Sequence, residues 1–80
     1  MVPVPPGDFG AYRNGSIEYV ITADRLVVDG EVFPELVLRD DRTFTVRDPA
    51  TGRVTPCGRF RGEPGASAAV EIGGRLAGRR

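Results

Sequence analysis

Large apolar side chains alternate with polar ones along most of this chain, and no segment keeps a helical spacing for three turns. The clearest case is the stretch 17–22, in which Ile17, Tyr19 and Ile21 share one face. Because successive side chains of a strand point to opposite faces, this pattern predicts a sheet with one buried face. The predicted fold class is therefore all-β.

Two dipeptides mark tight hairpins within this pattern. Asn14-Gly15 and Asp29-Gly30 each stand between two apolar-polar segments. A type I′ turn needs positive φ at both central positions, and these residue pairs accept it with little strain. Residues 40–42 and the loop at 48–52 are predicted to form further corners.

Pro34 interrupts the apolar run between residues 31–33 and 36–39. A proline lacks the N–H group that a sheet ladder uses, so it predicts a bend or bulge at which the strand turns a corner of a small barrel. Segment 66–72 has two interpretations, a strand or a short helix. The alternation of Ala68, Val70 and Ile72 favours the strand, since seven residues are too few for an independent helix.

The whole pattern predicts six to seven short strands in an antiparallel meander that forms a compact barrel or a two-layer sandwich. We expect a single β domain at 9–72, preceded by an extended Pro-rich arm at 1–8 and followed by a flexible, basic Gly/Arg tail at 73–80. The side chains predicted to form the interior are Ile17, Tyr19, Ile21, Leu26, Val28, Phe33, Leu36, Leu38, Phe44, Val46, Cys57, Phe60, Val70 and Ile72.

Residues 36–44, followed by Gly58-Arg59-Phe60, resemble a hairpin pattern of lipocalin-like small barrels. The resemblance implies a small antiparallel barrel. It carries no site residue over to this chain.

The residues needed for most catalytic chemistry are missing. The chain has no histidine and no lysine, and Cys57 is its single cysteine. The usual general base near neutral pH, the Schiff-base lysine, an intrachain disulfide and a zinc site are thereby excluded. Cys57 fits a small core residue better than a nucleophile, and Asp40 and Asp41 fit turn chemistry better than an acid-base pair. We expect no enzyme activity, no metal and no cofactor.

Charge is distributed unevenly along the chain. Residues 1–41 carry three arginines and eight carboxylates, whereas residues 42–80 carry eight arginines and three carboxylates. Opposite charge on the two halves, together with small size, favours a structural or accessory subunit that forms a homo-oligomer or docks on a partner protein. The abundance of arginine indicates a GC-rich bacterial or phage genome, and no segment resembles an export signal or a membrane span, so we expect a cytoplasmic protein.

Two alternative functions remain open at this point. An arginine stripe would contact a partner or a polyanion such as nucleic acid, and its candidate residues are Arg53, Arg59, Arg61, Arg75, Arg79 and Arg80. A binding module or cyclase-type mini-barrel would instead need an apolar cavity for a small molecule, with Tyr19, Phe33 and Phe44 as its candidate lining. A small-molecule ligand is the less favoured partner, because so many bulky side chains are expected to leave little room for a cavity.

Overall fold

The computed structural model describes residues 4–79 and is all-β, with nine strands in one antiparallel sheet. The strands are β1 (Gly10–Asn14), β2 (Ile17–Ile21), β3 (Arg25–Val28), β4 (Glu31–Pro34), β5 (Val37–Leu38), β6 (Thr43–Arg47), β7 (Val54–Glu63), β8 (Ala66–Ile72) and β9 (Arg75–Arg79). The all-β class is confirmed, but nine strands replace the six to seven expected. In the part of the chain that is described, no helix is long and apolar enough to cross a membrane.

The sheet curls into a half-barrel that stays open along one side. Its strand order is β4-β3-β2-β1-β9-β8-β7-β6-β5. Every pairing in this order joins two strands that follow one another in the chain, except the pairing of β1 with β9. Tyr12 of β1 stands opposite Arg79 of β9 at that junction. The open side lies between β4 and β5.

The bend predicted at Pro34 separates these two edge strands. All eight pairings from β4 round to β5 are antiparallel, so β4 and β5 run in the same direction. Glu35 takes a left-handed conformation with φ of +57°, and the Leu36 N–H donates to the Asp24 carbonyl at 3.0 Å. The two strands are thus halves of one bent strand, of which the first pairs with β3 and the second with β6.

The expected loose tail is wrong, because residues 75–79 form β9 in the middle of the sheet. Gly73 and Gly74 both have positive φ, +60° and +80°, and Ile72 pairs with Arg75. This is the geometry of a two-residue type I′ hairpin, which a Gly-Gly dipeptide favours. Arg80 lies outside the described residues.

The expected extended arm is also wrong where it is described. Residues Pro6–Asp8 form one 3-10 turn, in which the Asp8 N–H donates to the Pro5 carbonyl at 2.9 Å. Proline is tolerated at the first position of a helical turn because its missing N–H has no partner there. Val4 and Asp8 are buried against the sheet, and residues 1–3 lie outside the described range.

The predicted hairpin at Asp29-Gly30 is confirmed, with φ of +47° and +89° between paired Val28 and Glu31. At the first hairpin the turn is displaced by one residue. Asn14 pairs with Ile17, so Gly15 and Ser16 are the central residues, and only Gly15 has positive φ. This is a type II′ arrangement, which places glycine first.

All fourteen side chains predicted for the interior belong to the core or pack against it. The sequence prediction missed Val4, Tyr12 and Ala77, which are also buried. Segment 66–72 is a strand, as expected. The core therefore lines the concave side of the curled sheet, and the remaining concave space forms the site described next.

Candidate functional site

The buried carboxylate of Asp8 organises a polar cluster at one end of the half-barrel. Its Oδ2 accepts from Arg42 Nη1 at 2.8 Å and from the Gly65 N–H at 3.1 Å, and its Oδ1 accepts from the Ser67 N–H at 3.0 Å. Burial alone would raise the pKa of Asp8, but the Arg42 guanidinium and the donors of Gly65 and Ser67 outweigh it and lower the pKa to about 2. Asp8 therefore fixes the N-terminal turn to the β7–β8 hairpin as a charged group.

Tyr12 and Arg79 extend the same cluster. The Tyr12 hydroxyl lies 2.9 Å from the Asp8 carbonyl and 2.7 Å from Ser67 Oγ, and it accepts from Arg79 Nη1 at 2.9 Å. Arg79 also donates to the Phe9 carbonyl and lies over the Tyr12 ring, 5.4 Å from its centroid. Apart from Arg42 Nε, which is buried and has no partner, the described side-chain polar atoms buried in this cluster are paired within the protein, so we assign it a structural role.

A cavity of about 460 Å³ lies on the concave side, toward the other end of β9, and opens to solvent. Most of its wall is apolar: Tyr19, Leu26, Val28, Phe33, Val46, Pro56, Cys57 and Ile72. The polar wall residues are Asp48, Thr55 and Arg75, and Gly73 completes the wall. Its volume lies within the range of about 300–1,000 Å³ typical of small-molecule sites.

Tyr19 places one unsatisfied polar group against this apolar wall. The residue is only 5 % exposed, and its hydroxyl has no hydrogen-bond partner among the described residues. Among the described residues, Arg42 Nε alone is a fully buried side-chain polar atom without a partner, so the Tyr19 oxygen keeps some solvent-accessible surface. The Tyr19 hydroxyl is thus available to a molecule in the cavity.

Arg75 and Asp48 are the charged residues of the cavity wall. Arg75 shares a face of β9 with buried Ala77, and its guanidinium has no side-chain partner in the described part of the chain. Asp48 Oδ1 accepts from the Ala50 N–H at 2.8 Å and the Thr51 N–H at 3.4 Å. Backbone N–H groups thus occupy Asp48 Oδ1, whereas the exposed Arg75 guanidinium has no hydrogen-bond or ion-pair partner among the described residues.

Two of the three predicted cavity residues line this space. Tyr19 and Phe33 do, and Phe44 does not. Phe44 packs against Phe60 with ring centroids 5.2 Å apart and borders a second depression of about 510 Å³, whose wall includes the charged residues Arg39, Arg59 and Glu71. The sequence did not indicate Asp48 and Thr55 as cavity residues, because the path of the loop between β6 and β7 brings them to the cavity wall.

The predicted arginine stripe is divided in the structure. Arg59 and Arg61 are exposed on β7, but Arg53 lies in the preceding loop. A bulge adds Cys57 between Gly58, which pairs with Phe44, and Pro56, which pairs with Thr45. The extra residue shifts the alternation, so the spacing of Arg53 no longer places it on the face of Arg59 and Arg61. Arg75 belongs to the cavity and Arg79 to the polar cluster.

The pKa values of Cys57 and Asp41 are shifted by their surroundings. Burial raises the pKa of the Cys57 thiol to about 11, opposite to the shift that activates a nucleophile. The Thr43 hydroxyl and N–H lower the pKa of Asp41, which acts as an acceptor in its turn. Within residues 4–79, no three His, Cys, Asp or Glu side chains converge in a way that could hold a metal ion.

Comparisons with protein-family models, with curated proteins and with solved structures found no match to this chain.

Proposed function

We propose that this chain is a noncatalytic binding module that holds a small, largely apolar molecule in the cavity of the half-barrel. One observation carries the proposal: an open cavity of about 460 Å³ with an apolar wall, to which Tyr19 adds a solvent-accessible hydroxyl that has no hydrogen-bond partner among the described residues. Removing apolar ligand surface from water there contributes about 25 cal/mol per Å². The missing histidine and the raised thiol pKa of Cys57 support binding without catalysis.

The test uses a neutral amphiphile, decanol, titrated into the full chain and followed by NMR. We expect saturable shifts of the methyl groups of Leu26, Val28 and Ile72, because these side chains form the cavity wall. Val28→Phe fills the cavity and should weaken binding at least tenfold. Val32→Phe is the matched control, since Val32 is 41 % exposed and is not part of the cavity wall.

Circular dichroism and thermal unfolding confirm that both variants fold, and Ile72→Phe replaces Val28→Phe should the latter unfold. Absence of saturable decanol binding would overturn the proposal. Equal loss of binding in Val28→Phe and Val32→Phe would also overturn it, because it would place the probe outside the cavity.

A second candidate is the structural or accessory subunit favoured by the sequence. Val32, Val54 and Leu76 are large apolar side chains that are at least 41 % exposed on different strands, and association would cover them. Light scattering at about 50 mM and 500 mM salt tests this association, since the electrostatic screening length shortens steeply over that range. Charge-driven assembly predicts a multimer that loosens at high salt, and a monomer at both salts contradicts it.

The third possibility, nucleic-acid binding through an arginine stripe, stays a prediction with less support. Two of its arginines, Arg59 and Arg61, lie exposed on the same strand, whereas Arg79 is engaged with Tyr12. Replacing Arg59 and Arg61 by serine would lower affinity for duplex DNA if this function were correct.

A further inference from the structure

The charges of the cavity wall differ in how far the protein neutralises them, and this difference indicates a ligand class. Arg75 carries a permanent positive charge with no side-chain partner in the described residues. Asp48 carries a negative charge that already accepts hydrogen bonds from two backbone N–H groups. The charged group of the wall that has no partner is therefore Arg75, and it attracts an anion.

Tyr19 supplies a second hydrogen-bond donor for an anion, which an isolated surface arginine would lack. Tyr19 lines the same wall as Arg75, and its solvent-accessible hydroxyl has no hydrogen-bond partner among the described residues. A carboxylate accepts hydrogen bonds at both oxygens, so one carboxylate can accept from a hydroxyl and from a guanidinium at the same time. Neither an ammonium group nor a hydrocarbon can do this.

The rest of the wall limits what such an anion can be. Leu26, Val28 and Phe33 offer apolar contacts and no hydrogen-bond donor from their side chains. A small inorganic anion would leave this surface bare, whereas an acid with an apolar body would cover it. The volume of about 460 Å³ suits one such molecule.

We propose that the ligand is an amphipathic organic carboxylate, whose carboxylate binds Arg75 and the Tyr19 hydroxyl and whose apolar body fills the cavity. This inference rests on the proposed function. It goes further in assigning Arg75 and Tyr19 as the residues that select an acid over a neutral or cationic molecule of the same shape.

The experiment compares three probes with the same alkyl chain, decanoate, decanol and decylammonium, by calorimetric titration of the full chain. We expect decanoate to bind most tightly. Arg75→Gln should weaken decanoate about fivefold and decanol less than twofold, because the variant removes charge and keeps a polar side chain of similar length. Arg61→Gln, an exposed arginine outside the cavity, should change neither.

Two further variants test the sign of the charge effect and the hydroxyl. Asp48→Asn keeps the acceptor for the loop N–H groups and removes the negative charge, so decanoate should bind about twofold more tightly. Tyr19→Phe should weaken decanoate about tenfold, since hydrogen bonds to charged groups are the stronger ones. Thermal unfolding of each variant separates loss of binding from loss of fold.

The outcomes separate this inference from the proposed function. Equal affinities for the three probes, or a decanoate affinity that survives Arg75→Gln, would overturn the carboxylate assignment while leaving the binding module in place. Tighter binding of decylammonium, weakened by Asp48→Asn, would replace the acid by an amine. If none of the probes binds, both proposals fail together.

Discussion

At the scale of single residues, Asp8 shows how one carboxylate holds distant segments together. It is fully buried and accepts from Arg42, Gly65 and Ser67, which belong to two separate turns and a strand. Burying a charge is tolerated only where partners satisfy it. Loss of either partner therefore costs more than the pair itself contributes.

We expect Asp8→Asn to destabilise the fold by about 3 kcal/mol, since it leaves the mostly buried Arg42 guanidinium without its counter-charge. Urea unfolding at pH 7, followed by circular dichroism, measures the change. Asp40→Asn is the matched control because Asp40 is exposed, and it should stay within about 0.5 kcal/mol of the wild type. A loss below about 1 kcal/mol for Asp8→Asn would contradict the role given to the carboxylate.

The same residue predicts the response to acid. Its pKa is depressed from 3.8 to about 2 in the folded chain, so its contribution is present above about pH 4 and is lost as the pH falls toward 2. The expected loss is about 2 kcal/mol. Thermal unfolding from pH 7 to pH 2 should show it in the wild type, and Asp8→Asn should lack this part of the pH dependence.

The sequence predicted burial well and polar partners poorly. Apolar alternation identified the interior, because it depends only on which face a side chain occupies. The pairing of Asp8 with Arg42 joins residues 34 positions apart across a turn and carries no local pattern. A packed interior was the first expectation and a cavity only an alternative, for which the sequence offered Tyr19 and Phe33. The place of Asp48 in the wall depends on loop geometry that alternation does not encode.

At the scale of strands and turns, the bulge in β7 depends on a glycine. A Cβ added to Gly58 would collide with the Glu71 carbonyl oxygen and would lie 3.0 Å from Ile72 Cγ1 and 3.1 Å from Phe44 Cζ. Two of these neighbours are core side chains and the third is backbone, so none can move freely. The strand can pass between β6 and β8 only because this position has no side chain.

Gly58→Ala should therefore destabilise the protein by about 2 kcal/mol or more through overpacking. Gly78→Ala is the control, because Gly78 also lies in a strand but a Cβ there meets nothing within 4 Å. That variant should be neutral or stabilising by about 0.5 kcal/mol, since alanine restricts the unfolded chain. Chemical unfolding of the two variants side by side measures the difference, and similar losses would show that glycine flexibility, rather than space, matters at residue 58.

Turn chemistry explains which strands were predictable. Asp29-Gly30 and Pro34 marked a hairpin and a bend that both exist, while Gly73-Gly74 was interpreted as the start of a flexible tail. The error came from judging β9 by its few apolar residues. Leu76 is 56 % exposed, and small Ala77 is the residue that enters the core.

At the scale of the whole molecule, the opposite charges of the two halves are partly used within the fold. Asp8 meets Arg42 at 2.8 Å, and Glu35 meets Arg47 at 2.7 Å. Both pairs join the acidic half of the chain to the basic half. This internal use weakens the charge argument for self-assembly, which stays a prediction for light scattering to test.

Deleting residues 75–80 should abolish the cooperative fold, because it removes the central strand that pairs with both β1 and β8. It also removes Arg79 from the Tyr12 hydroxyl. We expect the shortened chain to lose its near-UV circular dichroism and its thermal transition, whereas a chain ending at Arg79 keeps both. A cooperative transition in the shorter chain would show that the two flanking parts of the sheet are stable without β9.

The pairing of β1 with β9 also sets an order of events during synthesis. Tyr12 emerges from the ribosome more than sixty residues before its partner Arg79. Until then the β2 and β8 sides of the sheet have no strand to connect them, and long-range pairings of this kind form slowly. The nascent chain therefore holds an incomplete sheet, and its apolar faces stay exposed to aggregation until β9 has left the exit tunnel.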